Sequence, residues 1–517
     1  MSASLAPGPG AGSVSVSNHH IAHDLHQRFA HAKADARHLL HMLAARVRGK
    51  IFVYRGGAFD WTELLRDCID FEKYKENSHG GDYYFARTML AASAPWITHN
   101  ASEARLFVVP SLLGMSQIVI FPSDVREQEK ALDKLKLPNA TCTAKIYENS
   151  LNRLVKALNA SEYWGRRPHL FHTGGWQTLW GCGRSHAVNG STVMRHCPFN
   201  VQTAARRRLL RTPKVIVAHF ETREMTGDLD AAVSDPYVTS ACTGSSEHGI
   251  AAYARPSAAR PITFMFRGRM LHRPSRALVC AALRETVGDG LFLCRAQPGT
   301  EGIFRQLNIT LRECPAPAAA ATQPSLSQPP HDVDACVVNL TRAAAASGKR
   351  AAAPGGVCPQ LAGCTSDLSP QGYCDEMSHA RFAVQTRGDT PTSRRLYDAI
   401  ELGALPTSLT PHLIENLSPI VNWSAFVSPE PVLDHEVITG LSSDTVLDRA
   451  TVEAFAHLLQ DEVDRSNAAA SMNARQDAML KWLPMLSWRH DPLTTSMHLL
   501  AQAALRIEAL WPDNLRR

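Results

Sequence analysis

One segment of this chain, residues 381–407, restricts its fold more than any other part of the sequence. A short apolar run, Phe382–Val384, predicts a strand, and a polar turn at 387–391 follows it directly. Thr392 or Ser393 can then serve as the N-cap of a helix. The segment therefore predicts a strand, a tight loop and a helix in succession, which is the repeating unit of an α/β protein.

The predicted helix runs to about Leu402, because Gly403 is the residue type that most easily ends a helix. Leu396, Ala399 and Ile400 fall on one helical face, which predicts that the helix packs on a sheet. A helix docked in this way holds the preceding loop at one edge of that sheet.

The start of this helix predicts an anion site. A helix N-terminus presents backbone N–H groups and the positive end of the helix dipole, and phosphate is its usual ligand. Arg387, Arg394 and Arg395 lie close by in the sequence and can bind a phosphate through charge-assisted hydrogen bonds. An ordinary βαβ unit with solvated arginines fits the local pattern equally well, so the pattern alone leaves both interpretations open.

The same segment resembles the C-terminal signature of the exostosin glycosyltransferases, glycosyltransferase family 47. Ala383, Thr386 and Ala404 stand where that signature usually has Cys, Pro and Cys. These replacements are small and apolar or neutral, and the expected fold is unchanged. The residues that match the signature are Phe382, Gly388, Asp389, Thr390, Ser393, Arg395, Leu396, Asp398, Ala399, Ile400, Gly403 and Pro406.

Weaker blocks with the same resemblance lie on either side of this segment, from about residue 51 to about residue 430. Residues 163–172 resemble one of them, with His169 on the family histidine and Pro168 in place of the preceding family aspartate. A second strand–loop–helix unit is predicted at 262–285, where a strand leads into a turn at Arg267. That loop could also face a phosphate, although a solvent-facing turn is equally common.

The resemblance implies a GT-B fold, in which two Rossmann-like α/β domains face a cleft, here followed by a helical C-terminal tail. Ligands in such folds bind beyond the carboxyl ends of the strands. A low-complexity stretch rich in Ala, Pro, Ser and Gly, 314–372, is predicted to interrupt the second domain. The expected divisions are a flexible leader with an amphipathic helix at 1–48, an acceptor-side domain at 49–240, a nucleotide-sugar-binding domain at 255–440 and a helical segment at 441–517.

The resemblance also implies an inverting glycosyltransferase that moves a sugar from a nucleotide-sugar, generally a UDP-sugar, to a glycan or glycoprotein acceptor. Arginines and a helix N-terminus can neutralise the leaving diphosphate without a bound metal. We therefore expect a UDP-sugar as donor substrate, and no metal or other required cofactor. Asp398 either accepts from ribose or sugar hydroxyls or pairs with Arg395. The expected donor-binding residues are Arg267, Arg387, Gly388, Asp389, Ser393, Arg395 and Asp398.

An inverting transfer also needs a base that takes the proton of the acceptor hydroxyl. His169 is the first candidate for this base, and His172 and Asp235 follow it. A hydrogen-bonded histidine on a loop, or an aspartate that caps a turn, explains each of these residues without catalysis.

Two other functions remain open. The chain can be a non-catalytic exostosin-like partner of a related glycosyltransferase, which the departures from the family at Pro168 and Arg105 favour. It can also be a soluble protein that binds glycans or anions through its basic surface. The formal net charge of +6 suits anionic small molecules or acidic glycans and does not indicate a nucleic-acid-binding protein.

Cysteine and asparagine usage indicates an oxidising, secretory compartment. The 12 cysteines include no CxxC pair, which favours disulfides over a zinc site or a thioredoxin-type site. Family members are usually anchored in the Golgi membrane, yet no run of about 18 to 20 apolar residues occurs in this sequence. We expect a protein of the Golgi or secretory lumen whose membrane anchor is not visible in this chain. Asn-x-Ser/Thr sequons occur at Asn100, Asn139, Asn159, Asn189, Asn308, Asn339, Asn416 and Asn422.

Overall fold

In a computed structural model, the chain forms two parallel β-sheets with helices packed against them. None of the helices in the part of the chain that the structure describes is long and apolar enough to cross a membrane. The described residues are 18–45, 50–65, 71–76, 80–115, 144–173, 209, 212–220, 231–239, 250–266, 292–293, 370–386, 392–408, 413–427, 457, 459–461, 464 and 469–512.

Within the described residues, the first sheet has six strands in the order β2-β1-β3-β4-β5-β6, and each neighbouring pair is parallel. Its central strands are buried on both faces, because apolar residues fill successive positions rather than alternate ones. The strands are β1 (Lys50–Val53), β2 (Ile97–Thr98), β3 (Ala104–Val109), β4 (His169–His172), β5 (Val215–His219) and β6 (Ala232–Ser234).

The described part of the second sheet consists of four parallel strands in the order β8-β7-β9-β10. Strands β2-β1-β3-β4 of the first sheet have the same arrangement. In both sheets, the strand that comes first in the sequence lies between the second and the third. At such a point the connections leave in opposite directions, and a crevice opens at the carboxyl ends of the two central strands. In this sheet the central strands are β7 and β9. The strands are β7 (Ile262–Met265), β8 (Phe292–Leu293), β9 (Ala380–Gln385) and β10 (Leu405–Ser408).

Helices cover the sheets, and three of them, α1, α8 and α9, also pack against one another. Arg37 of α1 donates twice to the carboxylate of Asp491, the N-cap residue of α9, at 3.0 and 3.1 Å. The helices within the described ranges are α1 (Asn18–Ala45), α2 (Trp61–Leu64), α3 (Phe71–Tyr74), α4 (Gly81–Ala91), α5 (Ala144–Asn159), α6 (Pro370–Ser378), α7 (Arg394–Glu401), α8 (Ala469–Leu486) and α9 (Pro492–Leu510).

The two parallel sheets confirm the predicted α/β class, and α8 and α9 confirm the predicted helical tail. The GT-B arrangement and the domain boundaries stay predictions. Most of the predicted insertion, 314–372, lies outside the described residues. Its last three residues, 370–372, belong to helix α6.

Helix α9 closes the outer edge of the first sheet. The side-chain amide of Gln502 accepts from the backbone N–H of Ser234 (2.9 Å) and donates to the carbonyl oxygen of the same residue (2.8 Å). Arg506 donates to the carbonyl oxygen of Ala232, which also belongs to β6 (3.0 Å). These bonds satisfy backbone groups that an edge strand would otherwise present to solvent.

The predicted helix stop at Gly403 is confirmed. Gly403 has a φ of +70°, and its N–H bonds the carbonyl oxygen of Ile400 (3.3 Å), which closes the last turn of α7. The buried guanidinium of Arg260 lies against this glycine. It donates to the carbonyl oxygens of Leu402 and Ala380 (3.0 and 3.1 Å) and so joins the end of α7 to the start of β9.

Gly403→Ala should therefore lower the free energy of unfolding by at least about 2 kcal/mol, because a side chain both strains the backbone and crowds Arg260. A Cβ at this position would lie 2.5 Å from Arg260 Nη2. Gly57→Ala is the matched control, since Gly57 has a φ of +53° but a Cβ there would meet no atom within 4 Å, and it should cost only about 1 kcal/mol. Denaturant unfolding measures both, and equal losses would contradict the role of Arg260.

Candidate donor and acceptor sites

The carboxyl ends of β7 and β9 form the crevice of the second sheet. The two strands are direct neighbours, with Met265 opposite Ala383. The described residues that follow these strands, Phe266 and Thr386, lie at the same edge of the sheet. Four predicted donor residues come next in the sequence and lie outside the described residues: Arg267, Arg387, Gly388 and Asp389.

Arg395 brings a buried positive charge to this edge. Its guanidinium carbon lies 4.8 Å from the centroid of the Phe266 ring, and Phe266 directly follows β7. The residue is only 9% exposed, and burial lowers the pKa of its guanidinium. The usual value for arginine is so high that the group keeps its charge at neutral pH. The first turn of α7 therefore presents a cation beside the end of the neighbouring strand.

Ser393 occupies the N-cap position of α7, but its side chain does not cap the helix. Its hydroxyl donates instead to the side-chain oxygen of Gln385 at the end of β9 (3.5 Å). The next residue along that strand, Thr386, has a buried hydroxyl with no hydrogen-bond partner among the described residues. A buried, unsatisfied hydroxyl beside a helix start is an arrangement that a bound ligand can complete.

Asp398 lies one turn further along α7 and is almost fully buried. Its Oδ2 accepts from the Tyr373 hydroxyl (3.1 Å) and lies 3.6 Å from Arg394 Nε. This ion pair joins Asp398 to Arg394 at i,i+4, a spacing that stabilises helices. These contacts explain the residue as a support of the helix start, and its contact with a ligand remains a prediction.

A second cluster lies at the carboxyl end of the first sheet. His172 is the last residue of β4, and Asp235 directly follows β6. Nε2 of His172 lies 3.0 Å from Oδ2 of Asp235, and both side chains are fully buried. The indole N–H of Trp488 donates to Oδ1 of Asp235 (3.1 Å). The fold therefore pairs two of the candidate bases, although they are far apart in the sequence.

Asp82, at the start of α4, adds another buried carboxylate to this cluster. It accepts from the Tyr74 hydroxyl (2.7 Å) and from the backbone N–H of Gly114 (2.9 Å). Burial raises the pKa of Asp82 to about 6, while the nearby His172 opposes the shift. Burial also raises the pKa of Asp235. Titratable groups that are shifted in this way and gathered at strand ends are typical of functional sites.

His169 belongs to the same strand as His172 but faces the other side of the sheet, because strand side chains alternate. Its Nδ1 bonds the carbonyl oxygen of Arg167 (2.8 Å) and must carry the proton, so its Nε2 accepts from the Tyr54 hydroxyl (3.1 Å). Burial lowers the pKa of His169 to about 4. Both ring nitrogens of His169 are therefore engaged in hydrogen bonds at the amino end of β4. The identity of the base among His169, His172 and Asp235 stays a prediction.

A buried segment, 235–239, runs from the His172–Asp235 pair to helix α7. It begins with Asp235, and at its other end the Thr239 hydroxyl donates to Oε2 of Glu401 (2.6 Å). Burial raises the pKa of Glu401 to about 7. Sequence reasoning missed both Glu401 and Trp488, because their partners are distant in the chain and no short motif includes them.

The described residues contain no group of three or more His, Cys, Asp or Glu side chains that could hold a metal. Cys374 of α6 is disulfide-bonded, in agreement with the disulfides expected from the sequence. Oxidised cysteine is typical of secreted and lumenal proteins.

Comparison with known proteins identifies the family. The Exostosin GT47 domain matches residues 45–427, about three quarters of the chain and all strands of both sheets. The match ends before α8 and α9, so Trp488 lies outside it. A search of curated proteins found no match. The matched domain and the two strand-end clusters lead to one conclusion: the chain belongs to the exostosin GT47 family of glycosyltransferases.

Proposed function

We propose that this protein is an inverting glycosyltransferase that transfers a sugar from a UDP-sugar to a glycan or glycoprotein acceptor. The observation that carries the proposal is the pairing of β7 with β9 beside the buried Arg395 at the start of α7. Arg267 and Arg387 follow the described ends of these two strands directly in the sequence. A buried arginine at a helix start suits a phosphate or diphosphate group.

In this proposal the diphosphate of the donor lies at the start of α7. Arg267, Arg387 and Arg395 neutralise the negative charge that develops on UDP as the glycosidic bond breaks. Gly388 and Asp389 belong to the loop that surrounds the phosphates. Ser393 and Asp398 complete the donor residues, with Asp398 supporting the helix start. Charge neutralisation of this kind proceeds without a metal.

The acceptor lies at the strand ends of the first sheet. Its hydroxyl oxygen attacks the anomeric carbon on the face opposite UDP, and the new C–O bond forms as the bond to UDP breaks. UDP leaves with the electron pair of that bond, and the configuration inverts. His172 takes the proton of the hydroxyl, and the Asp235 carboxylate stabilises the imidazolium that results. Because His172 is buried, acceptor binding has to open access to it.

Calorimetry with UDP and a panel of UDP-sugars tests the donor site. The panel comprises UDP-glucose, UDP-galactose, UDP-glucuronic acid, UDP-xylose and UDP-N-acetylglucosamine, and UDP release in the presence of a glycan panel then identifies the acceptor. We expect UDP itself to bind, because the diphosphate carries most of the recognition. Absence of binding by every nucleotide would overturn the proposal, and binding without transfer would favour the non-catalytic partner.

His172→Asn should lower kcat by at least about 100-fold, because no general base then takes the acceptor proton. The affinity for UDP should stay unchanged, since the donor site lies on the other sheet. His169→Asn serves as the control: it should reduce thermal stability but leave kcat per folded molecule within about threefold of wild type. A large loss of kcat in His169→Asn, together with a nearly unchanged kcat in His172→Asn, would identify His169 as the base.

We also propose a Golgi or secretory-lumen location, which the disulfide of Cys374 supports. Three sequon asparagines within the described ranges, Asn100, Asn159 and Asn422, are exposed. Each should carry an N-glycan when the protein is expressed in a secretory host. Peptide N-glycosidase F should lower the mass, and each Asn→Gln substitution should remove one glycan, whereas Asn473→Gln, outside any sequon, should remove none. An unchanged mass after the enzyme treatment would contradict this location.

A further inference from the structure

We propose that Trp488, which lies beyond the matched family domain, is a positioning residue for the His172–Asp235 pair. The turn between α8 and α9 would thereby complete the acceptor side of the site. This inference rests on the proposed function, in which His172 takes the acceptor proton.

The indole of Trp488 fixes the orientation of the Asp235 carboxylate. Its N–H is shared between Oδ1 of Asp235 (3.1 Å) and the carbonyl oxygen of Pro236 (3.0 Å). The other carboxylate oxygen of Asp235 faces Nε2 of His172 at 3.0 Å. Each oxygen therefore has its own partner, and rotation of the carboxylate would break both contacts. An aspartate held in this way orients a histidine for proton transfer.

The three groups also close around the backbone of Gly81, the first residue of α4. A Cβ on Gly81 would lie 3.0 Å from Oδ2 of Asp235, 3.0 Å from Nε1 of Trp488 and 3.1 Å from Cε1 of His172. Glycine is therefore the residue that permits this close approach. The carboxylate, the indole and the imidazole thus surround one backbone position, and a side chain there would crowd all three.

The turn that carries Trp488 is anchored on both sides, which makes it a rigid support. The hydroxyl of Ser487 donates to Oε1 of Glu401 at the end of α7. Arg489 donates to the carbonyl oxygen of Thr239 (3.2 Å). Trp488 is itself 1% exposed and stacks on Tyr84 of α4. The indole N–H is thus held in place by contacts that do not involve the pair it orients.

Removal of the indole N–H should make Asp235 easier to protonate. The carboxylate is fully buried, and hydrogen bonds from donors favour its charged form. The titratable group that faces Asp235 is His172 from β4. His172 in turn interacts electrostatically with Asp82 from α4. A neutral Asp235 cannot stabilise an imidazolium, so activity should be lost on the acid side at a higher pH than in the wild type.

Trp488→Phe tests the inference, with Trp482→Phe as the control, since Trp482 is a partly buried tryptophan of α8. The assay is UDP release from the active UDP-sugar and glycan pair of the panel described above. Trp488→Phe should lower kcat at least tenfold and move the acid limb of the kcat profile up by about one pH unit. The KM for the donor and the Kd of UDP should stay within twofold, and the control should resemble the wild type throughout.

Gly81→Ala gives a second probe, because it crowds the same three groups without removing any of them. It should reproduce the loss of kcat at unchanged UDP affinity, which keeps the inference testable if Trp488→Phe folds poorly. The inference fails if both variants keep the kcat and the pH profile of the wild type, or if both lose UDP affinity in parallel with kcat. A wild type that binds no UDP and transfers no sugar overturns the proposed function instead, and this inference with it.

Discussion

Replacement of Arg395 by alanine should weaken UDP binding by at least about 30-fold, which corresponds to about 2 kcal/mol. The guanidinium is buried at the start of α7 and lies over the Phe266 ring, so its position is fixed before a ligand arrives. A buried, charge-assisted bond to phosphate is stronger than a solvent-exposed one, because water competes less for it. Loss of the side chain should therefore appear mainly as a loss of nucleotide affinity.

Calorimetric titration of purified Arg395→Ala with UDP measures this effect, with thermal unfolding as the check on folding. Arg394→Ala is the matched control: the neighbouring side chain is 46% exposed, and its removal should change the affinity less than about threefold. Arg395→Lys keeps the charge but loses the planar guanidinium, so its affinity for UDP should lie between those of Arg395→Ala and Arg394→Ala. UDP binding by a folded Arg395→Ala at wild-type strength would exclude Arg395 from the donor site. Glycan binding that persists without any UDP binding would instead favour the soluble glycan-binding alternative.

Replacement of Glu401 by glutamine should stabilise the protein at alkaline pH relative to the wild type. Burial raises the pKa of Glu401 from 4.5 to about 7, and the hydrogen bonds from Ser487 and Thr239 offset only part of that shift. The folded protein therefore holds a proton on Glu401 that the unfolded chain releases. The stability that this proton contributes is present below pH 4.5 and is lost as the pH rises through 7. A shift of that size corresponds to about 3 kcal/mol.

Glutamine resembles the protonated carboxyl group in shape and has no proton to lose. The hydroxyls of Ser487 and Thr239 can rotate so that one of them accepts a hydrogen bond from the side-chain NH2 group of the glutamine. The difference in thermal midpoint between Glu401→Gln and the wild type should therefore grow in favour of the variant between pH 5 and pH 8. His169, His490 and His498, whose pKa values burial lowers to about 4, change stability in both proteins alike and cancel.

Glu103→Gln is the control for this comparison. Hydrogen bonds from Lys50 and others lower the pKa of Glu103, so its titration lies below the pH window used. The difference in thermal midpoint between Glu103→Gln and the wild type should stay constant from pH 5 to pH 8. A constant difference for Glu401→Gln as well would mean that Glu401 ionises in the folded protein as it does in the unfolded chain.

The elements that form the proposed donor side were largely predictable, because their information is local. Strand β9 and helix α7 lie close together in the chain, and hydrophobic spacing and Gly403 indicated both the helix face and the helix end. That the Ser393 side chain leaves the helix uncapped was not predictable. Its hydroxyl turns to Gln385, which becomes a neighbour only once β9 and α7 have packed.

The cluster of the proposed acceptor side was less predictable, because it depends on strand register and on partners distant in the chain. His169 and His172 differ by an odd number of positions, so they must face opposite sides of one strand. Which of them faces α4 and Trp488 depends on the packing of the sheet, and sequence alone does not state that. Glu401 and Trp488 owe their roles to contacts across much of the chain, which no local pattern encodes.

The bonds from Gln502 to Ser234 have a consequence for solubility. Strand β6 ends the first sheet, and an uncovered edge strand invites pairing with an edge of another molecule, which leads to aggregation. The Gln502 side chain makes the two hydrogen bonds with Ser234 that the backbone of a further strand would make. A side chain, however, offers no backbone edge to which another strand could add. By occupying this edge, α9 should keep the folded protein from pairing edge to edge with other molecules.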